Sequence, residues 1–354
     1  MIRRPRPGRV ATAVPALLLS ALAVRAAPPD ATTQPAAQTR PAANAPDADL
    51  RRQKAVQRGL AWLAAQQAED GSFGASSQYG RNVAISALAG MAFVADGSVP
   101  GRGRYARNVE RALRFILNAT AEQSGLISAE TSYGPMYGHG FATLLLAELY
   151  GMAPDPDLRE KLRKAVLLIV RTQNDEGGWR YHPVKADADL SVTICQIMAL
   201  RAARNVGIDA PKSTIDRAIR YVRASQNRDG GFRYMLDSAG SMFARSAAGV
   251  AALFYAGIYE GPEIERGLRY LEQFTPGKAA EQTHYFYGHY YAVQAMYIAG
   301  GDHWQRWWPA IRDELLDKQD ADGSWQGQAG TEYGTAMALI ILQVPDQTLP
   351  IFQR

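Results

Sequence analysis

Gln173-Asn174-Asp175-Glu176-Gly177-Gly178-Trp179 decides how this chain folds, because the phrase returns. It recurs as Gln226-Asn227-Arg228-Asp229-Gly230-Gly231-Phe232 and as Gln319-Asp320-Ala321-Asp322-Gly323-Ser324-Trp325. Near the start it reads Gln67-Ala68-Glu69-Asp70-Gly71-Ser72-Phe73. In each copy a polar helix end meets a glycine, which tolerates the left-handed backbone that stops a helix. The aromatic behind it can fold back over the helix end and lock one hairpin in place. Four copies of one helix stop make a repeat protein.

Apolar residues at helical spacing lie on both sides of each phrase. Residues 162–170 precede Gly177 and 190–203 follow it; 215–224 and 246–256 flank Gly230 in the same way. Weaker copies run through 109–117 and 141–150, and through 264–274 and the helix around 290–298. The last copy pairs 311–316 with 335–342, and the first pairs the helix of Val56, Leu60 and Leu63 with 83–94. Phe73, Trp179 and Phe232 lie 106 and 53 positions apart, so six units of about 53 residues fill 50–343. The first helix of each pair is partly polar and the second nearly all apolar. That pattern predicts an outer and an inner wall. Neither end unit carries the polar cap of an open solenoid, so the expected fold is all-α, a closed (α/α)6 ring of six helical hairpins.

A second phrase opens the inner helices: Tyr79-Gly80-Arg81, Tyr137-Gly138-His139, Tyr287-Gly288-His289 and Tyr333-Gly334-Thr335. Asp189-Leu190-Ser191 and Phe243-Ala244-Arg245 stand at the matching places. In a closed ring all inner helices point the same way, so one mouth should carry Arg81, His139, Ser191, Arg245, His289 and Thr335, with Tyr137 and Tyr287 beside them. Helix N-termini would add partial positive charge there.

The chain has 354 residues, is 47% apolar and carries a formal charge of +5. Five arginines and no acid fall within 1–26, so the remainder is neutral and gives no footing for a nucleic-acid partner. Residues 1–9 are basic, 10–24 are apolar, and Val24-Arg25-Ala26 offers small residues for cleavage before Ala27. A secretory signal at 1–26 and export to the periplasm or beyond are expected. An apolar run of that length, broken by Pro15, falls short of the ~20 residues of a spanning helix. Arg3-Arg4 is followed by Pro5, which weakens a twin-arginine reading. Residues 27–49, rich in Ala, Pro, Thr and Gln, read as a disordered tether, and 344–354 as a C-terminal tail. Cys195 is the only cysteine and sits in an apolar run, so it reads as a buried inert thiol.

With these phrases in place, the chain resembles the squalene cyclases and protein prenyltransferase β-subunits over about 50–343. The resemblance implies a toroid with a central cavity. It does not by itself imply an activity. Squalene cyclases protonate their substrate with an Asp-x-Asp-Asp acid; this chain has Asp187-Ala188-Asp189-Leu190, without the last acid. Protein prenyltransferases bind zinc through Asp, Cys and His, yet Thr193 stands two before Cys195 where the Asp would be. The Asp-Asp-x-x-Asp magnesium motif and the Cys-Gly-Glu-Gln thioester motif are absent. No cofactor and no metal are therefore expected.

Asp187 and Asp189 are the candidate acids, since a carboxyl group in a dry aromatic cavity can hold a proton at neutral pH. Against this, Asp before Leu190 is a helix cap, and Arg245 could pair with Asp189 and keep it ionised. His139 and His289 belong to opposite units, roughly 20 Å apart if packed helices lie ~8–10 Å from one another, so they cannot share an ion. Aromatics at 285–291 suit a carbocation, a sugar or an apolar chain, or core packing. Trp304, Trp307 and Trp308, before the last outer helix, could form a partner patch or pack between units. Three functions fit: a toroid that holds an apolar small molecule, glycan, peptide or protein partner without the known catalytic motifs; a cyclase-like enzyme on an isoprenoid using Asp187 and Asp189; or a polysaccharide lyase or hydrolase on the same ring.

Overall fold

The computed structural model describes residues 46–129, 134–277 and 283–353. The expected signal at 1–26, and the expected tether up to residue 45, lie outside the described residues. Within them the chain is a ring of twelve α-helices with isolated bridges and no strand. The outer helices are α1 (Pro46–Ala65), α3 (Ala106–Asn118), α5 (Pro156–Thr172), α7 (Lys212–Ala224), α9 (Pro262–Glu272) and α11 (Gly301–Asp317). The inner ones are α2 (Val83–Ala95), α4 (Met136–Met152), α6 (Leu190–Asn205), α8 (Phe243–Tyr255), α10 (Tyr285–Ala299) and α12 (Thr331–Gln343).

The two walls follow from their sequences. In α3 only Val109, Ala112, Phe115 and Ile116 are buried, one stripe of an amphipathic helix. In α2 nearly every residue from Val83 to Ala95 is buried, because inner helices are covered on both sides. Each inner helix packs on the next, α2 on α4 through to α12, and α12 returns to α2. That cycle closes the toroid. Arg52 of α1, itself buried, ties the seam: it donates to Leu342 O at 2.9 Å and to both Asp346 carboxylate oxygens at 2.8 and 3.0 Å.

The recurring phrase joins two units as well as fastening its own. Gln173 Nε2 donates to Gly177 O (2.8 Å) in its own turn and to Thr214 O (2.9 Å) in the next outer helix. Gln67 does the same with Gly71 O and Asn108 O, and Gln226 with Gly230 O and Glu263 O. Gln319 holds Gly323 O and, across the closing seam, Ala55 O, both at 2.9 Å. Gly177 has φ +101°, and a Cβ there would lie 2.3 Å from Arg217 O of the neighbouring helix. The turn therefore needs glycine for both its backbone and its closeness to the next unit. The closing aromatic is held as well: Trp179 N donates to Thr193 Oγ1 at 3.0 Å, and its indole to Ile169 O at 2.8 Å.

Three sequence expectations change. Helix α1 starts at Pro46, inside the stretch read as tether, with Asp47 and Asp49 in its first turn as the helix dipole favours. Helix α11 starts at Gly301, so Trp304, Trp307 and Trp308 lie within it and are buried, not on an exposed patch. Pro309 is carried inside that helix. Residues 344–353 are no free tail: two 3-10 turns, Val344–Asp346 and Pro350–Phe352, bury Leu349, Ile351 and Phe352 against the ring. The second turn packs on α6. Among the described residues no helix is long and apolar enough to cross a membrane.

Candidate functional site

The N-terminal ends of the inner helices surround a cavity of about 530 Å³, a size that suits a small organic ligand. Among the described residues its wall holds six tyrosines, one from each unit: Tyr79, Tyr137, Tyr181, Tyr234, Tyr287 and Tyr333. Val83, Ile85, Leu88, Phe141 and Met337 fill the spaces between them. Tyr287 donates to Ser191 O at 2.9 Å, and the Tyr181 and Tyr234 hydroxyls meet each other. Among the described lining residues there is no carboxylate; Arg245 and His284 are the basic side chains.

Of the residues singled out in the sequence, Tyr137, Tyr287, Ser191 and Arg245 line this cavity. Arg81 does not. It is exposed and ion-paired to Asp70 at 2.6 Å, with its guanidinium over the Phe115 ring. His139 and His289 are buried away from the mouth, so neither belongs to a rim. His139 Nδ1 accepts from Ile127 N at 3.1 Å and its Nε2 faces Ala165 O at 3.2 Å. This pattern assigns the proton to Nε2. Burial pulls its pKa down to about 4, so it is a neutral structural clip. In four other units the same clip is a hydroxyl: Ser86, Thr193, Ser246 and Thr335 each accept from the backbone N–H of a closing aromatic. His289 lies among Phe243, Tyr285 and Trp307, and burial pulls it to about 3.

Asp187 and Asp189 stand beside the cavity rather than in its wall. Asp187 is about half exposed and pairs with Arg180. Asp189 is fully buried and caps α6, accepting from Val192 N at 2.9 Å. Its other oxygen has no partner at hydrogen-bonding distance; Arg180 Nε is 3.7 Å away. Burial pushes Asp189 up to about 6, against the opposing pull of the helix N–H groups, the Tyr234 hydroxyl and Arg180. The cation is thus Arg180, not Arg245, which donates to Phe232 O and Gly240 O instead. Arg180 also lies over the rings of Tyr181 and Tyr234, at 5.1 and 6.0 Å. Cys195 is buried beside Tyr291, its thiol pushed up to about 12 by burial, which leaves it no nucleophilic character at neutral pH. Among the described residues no three His, Cys, Asp or Glu side chains gather as a metal site would require.

Tyr181 and Tyr234 went unnoticed in the sequence. Their signal is there: each stands two residues after a closing aromatic, in Trp179-Arg180-Tyr181 and Phe232-Arg233-Tyr234.

Residues 47–273 match the prenyltransferase alpha-alpha toroid domain. The chain belongs to that family. Solved structures, a type II terpene cyclase among them, superpose along most of its length. A variant of the type II terpene cyclase MstE from Scytonema, in complex with its substrate geranylgeranyl dihydroxybenzoate, has a TM-score of 0.60 at 12% identity, over 86% of this chain and 99% of that one. Toroids with carbohydrate ligands or substrates are as similar. Cellobiose 2-epimerase from Spirochaeta thermophila gives 0.63 at 14% identity, over 86% and 98%. An inactive variant of alpha-1,6-mannanase from Salegentibacter sp. HEL1_6, in complex with alpha-1,6-mannotriose, gives 0.62 at 9%, over 82% and 98%. At these identities the likeness is one of fold. No curated protein matches the chain.

Proposed function

We propose that this prenyltransferase-type toroid is an exported binding protein that holds an apolar small molecule in its tyrosine-lined mouth. One observation carries the reading: among the described residues the cavity wall offers aromatic and aliphatic surface but no carboxylate, while the two candidate acids stand outside it beside Arg180. A cyclase-type mechanism needs an acid facing the substrate. A glycosidase needs two carboxyl groups flanking the bond. Neither requirement is supported by the described lining residues. The cyclase-like reading keeps one support, the buried Asp189 with a carboxyl oxygen free and its pKa raised to about 6.

Native mass spectrometry of the protein isolated from its export compartment tests the choice. The binding reading expects a co-purifying apolar molecule, retained equally by Asp187→Asn/Asp189→Asn. A chemically altered product released by the parent and not by the double variant would establish the enzyme instead. A bound oligosaccharide would move the protein to the carbohydrate class.

A further inference from the structure

Among the described residues of the cavity wall, Arg245 is the one arginine or lysine, and no carboxylate lines the wall with it. Two other buried or half-buried arginines have carboxylates: Arg52 has Asp346 and Arg180 has Asp187. Arg245 makes no ion pair among the described residues. Backbone carbonyls hold it in place. Nε donates to Phe232 O at 3.0 Å and Nη2 to Gly240 O at 3.1 Å, while Nη1 makes no hydrogen bond among the described residues. The guanidinium is therefore fixed on one side and open on the other. Burial pulls its pKa below the ordinary value, and only tyrosines oppose that pull; an arginine remains charged all the same. A half-buried charge without a counter-ion is costly. An anion delivered by a ligand would relieve that cost in the bound state alone. A rigid guanidinium is suited to carboxylate or phosphate, whose hydrogen bonds to it are charge-assisted.

We propose that the ligand of this cavity is an amphipath with one anionic group, a carboxylate or a phosphate, held at Arg245 while its apolar body lies along the tyrosine wall. This rests on the reading of the cavity as a ligand site. It adds the charge and the orientation of what is bound. The anionic end sits by the first turn of α8, and the apolar end reaches toward Val83, Ile85 and Phe141 on the other side of the mouth.

Calorimetric titration of the purified protein with dodecanoate, dodecyl phosphate, dodecanol and inorganic phosphate, each below micelle-forming concentration, separates the possibilities. At least one of the two amphipathic anions should bind about tenfold or more tighter than dodecanol, and which one does so assigns the headgroup. Arg245→Gln should bring that anion to the affinity of dodecanol and leave dodecanol unchanged. Equal binding of anion and alcohol to the parent protein would overturn the anionic ligand and leave the apolar site standing. Inorganic phosphate binding as tightly as dodecyl phosphate would overturn the amphipath. Failure of all three dodecyl probes would overturn the ligand site itself. Should Arg245→Gln fail to fold, the comparison of dodecanoate with dodecanol on the parent still decides, because it needs no variant.

Discussion

Gln173 satisfies two carbonyls of two different units with one amide group, and no other side chain of its size can do so. Aspartate or glutamate would accept rather than donate; alanine would leave the Gly177 carbonyl without this donor and remove the tie to Thr214 O. Gln173→Ala should cost about 1–3 kcal/mol, read as a lowered urea midpoint with an unchanged slope. Asp189 carries a different liability. Its pKa is about 6 in the folded chain against an ordinary 3.8. The folded state binds that proton more tightly, so the stabilisation is fully present below about pH 4 and is lost as the pH rises through 6. Asn keeps the helix cap without the charge. Asp189→Asn should gain about 3 kcal/mol relative to the parent between pH 4 and pH 7, measured as the difference between their urea midpoints. A constant difference across that range would mean the carboxyl group does not titrate there.

At the scale of elements, the inner helix starts explain why half of the mouth was legible in the sequence. Tyr137 and Tyr287 reach the cavity as their triplets suggest. The histidines two positions later do not, because two residues turn a helix by about 200° and carry the side chain to the opposite face. Arg245 reached the wall by another register: α8 aligns with α4 through Ser246 and His139, the two clip residues. The 53-residue period, the glycine turns and the apolar inner wall were all readable. The C-terminal turns were not, because Leu349, Ile351 and Phe352 have no helical period and lie among prolines. Their role is local. Ile351 N donates to the buried Glu148 carboxyl at 3.3 Å, and burial pushes Glu148 up to about 8. Its stabilising share is present below about pH 4.5 and falls away as the pH passes 8. Glu148→Gln should therefore gain on the parent between pH 5 and pH 9 in thermal melts. Amide exchange at Ile351 should quicken with pH, beyond the intrinsic rate, in the parent alone.

At the scale of the molecule, closure makes the twelve helices one cooperative body. No inner helix has a free flank, since each packs on two others around the cycle. Arg52→Ala removes the α1 bonds to Leu342 O and Asp346, and should cost about 2 kcal/mol, the range for hydrogen bonds to a charged group. It acts at the closing seam, whereas Gln173 acts between the third and fourth units. Both variants should nevertheless shift the same single unfolding transition, with tryptophan fluorescence and far-ultraviolet circular dichroism coincident. Two separated transitions in Arg52→Ala would show that the ring comes apart as an open chain of hairpins.

The clamp at Gln319 has a consequence for how the protein is made. Its far partner is Ala55, 264 residues earlier in the chain. The first outer helix leaves the ribosome with its flank bare and keeps it bare while five further units are translated. The joint that closes the ring thus links its first helix to its last unit, and a product truncated before Gln319 cannot form it. A chain stalled before its sixth unit would present an open apolar edge on α2. Shape itself then tells an unfinished copy from a finished one.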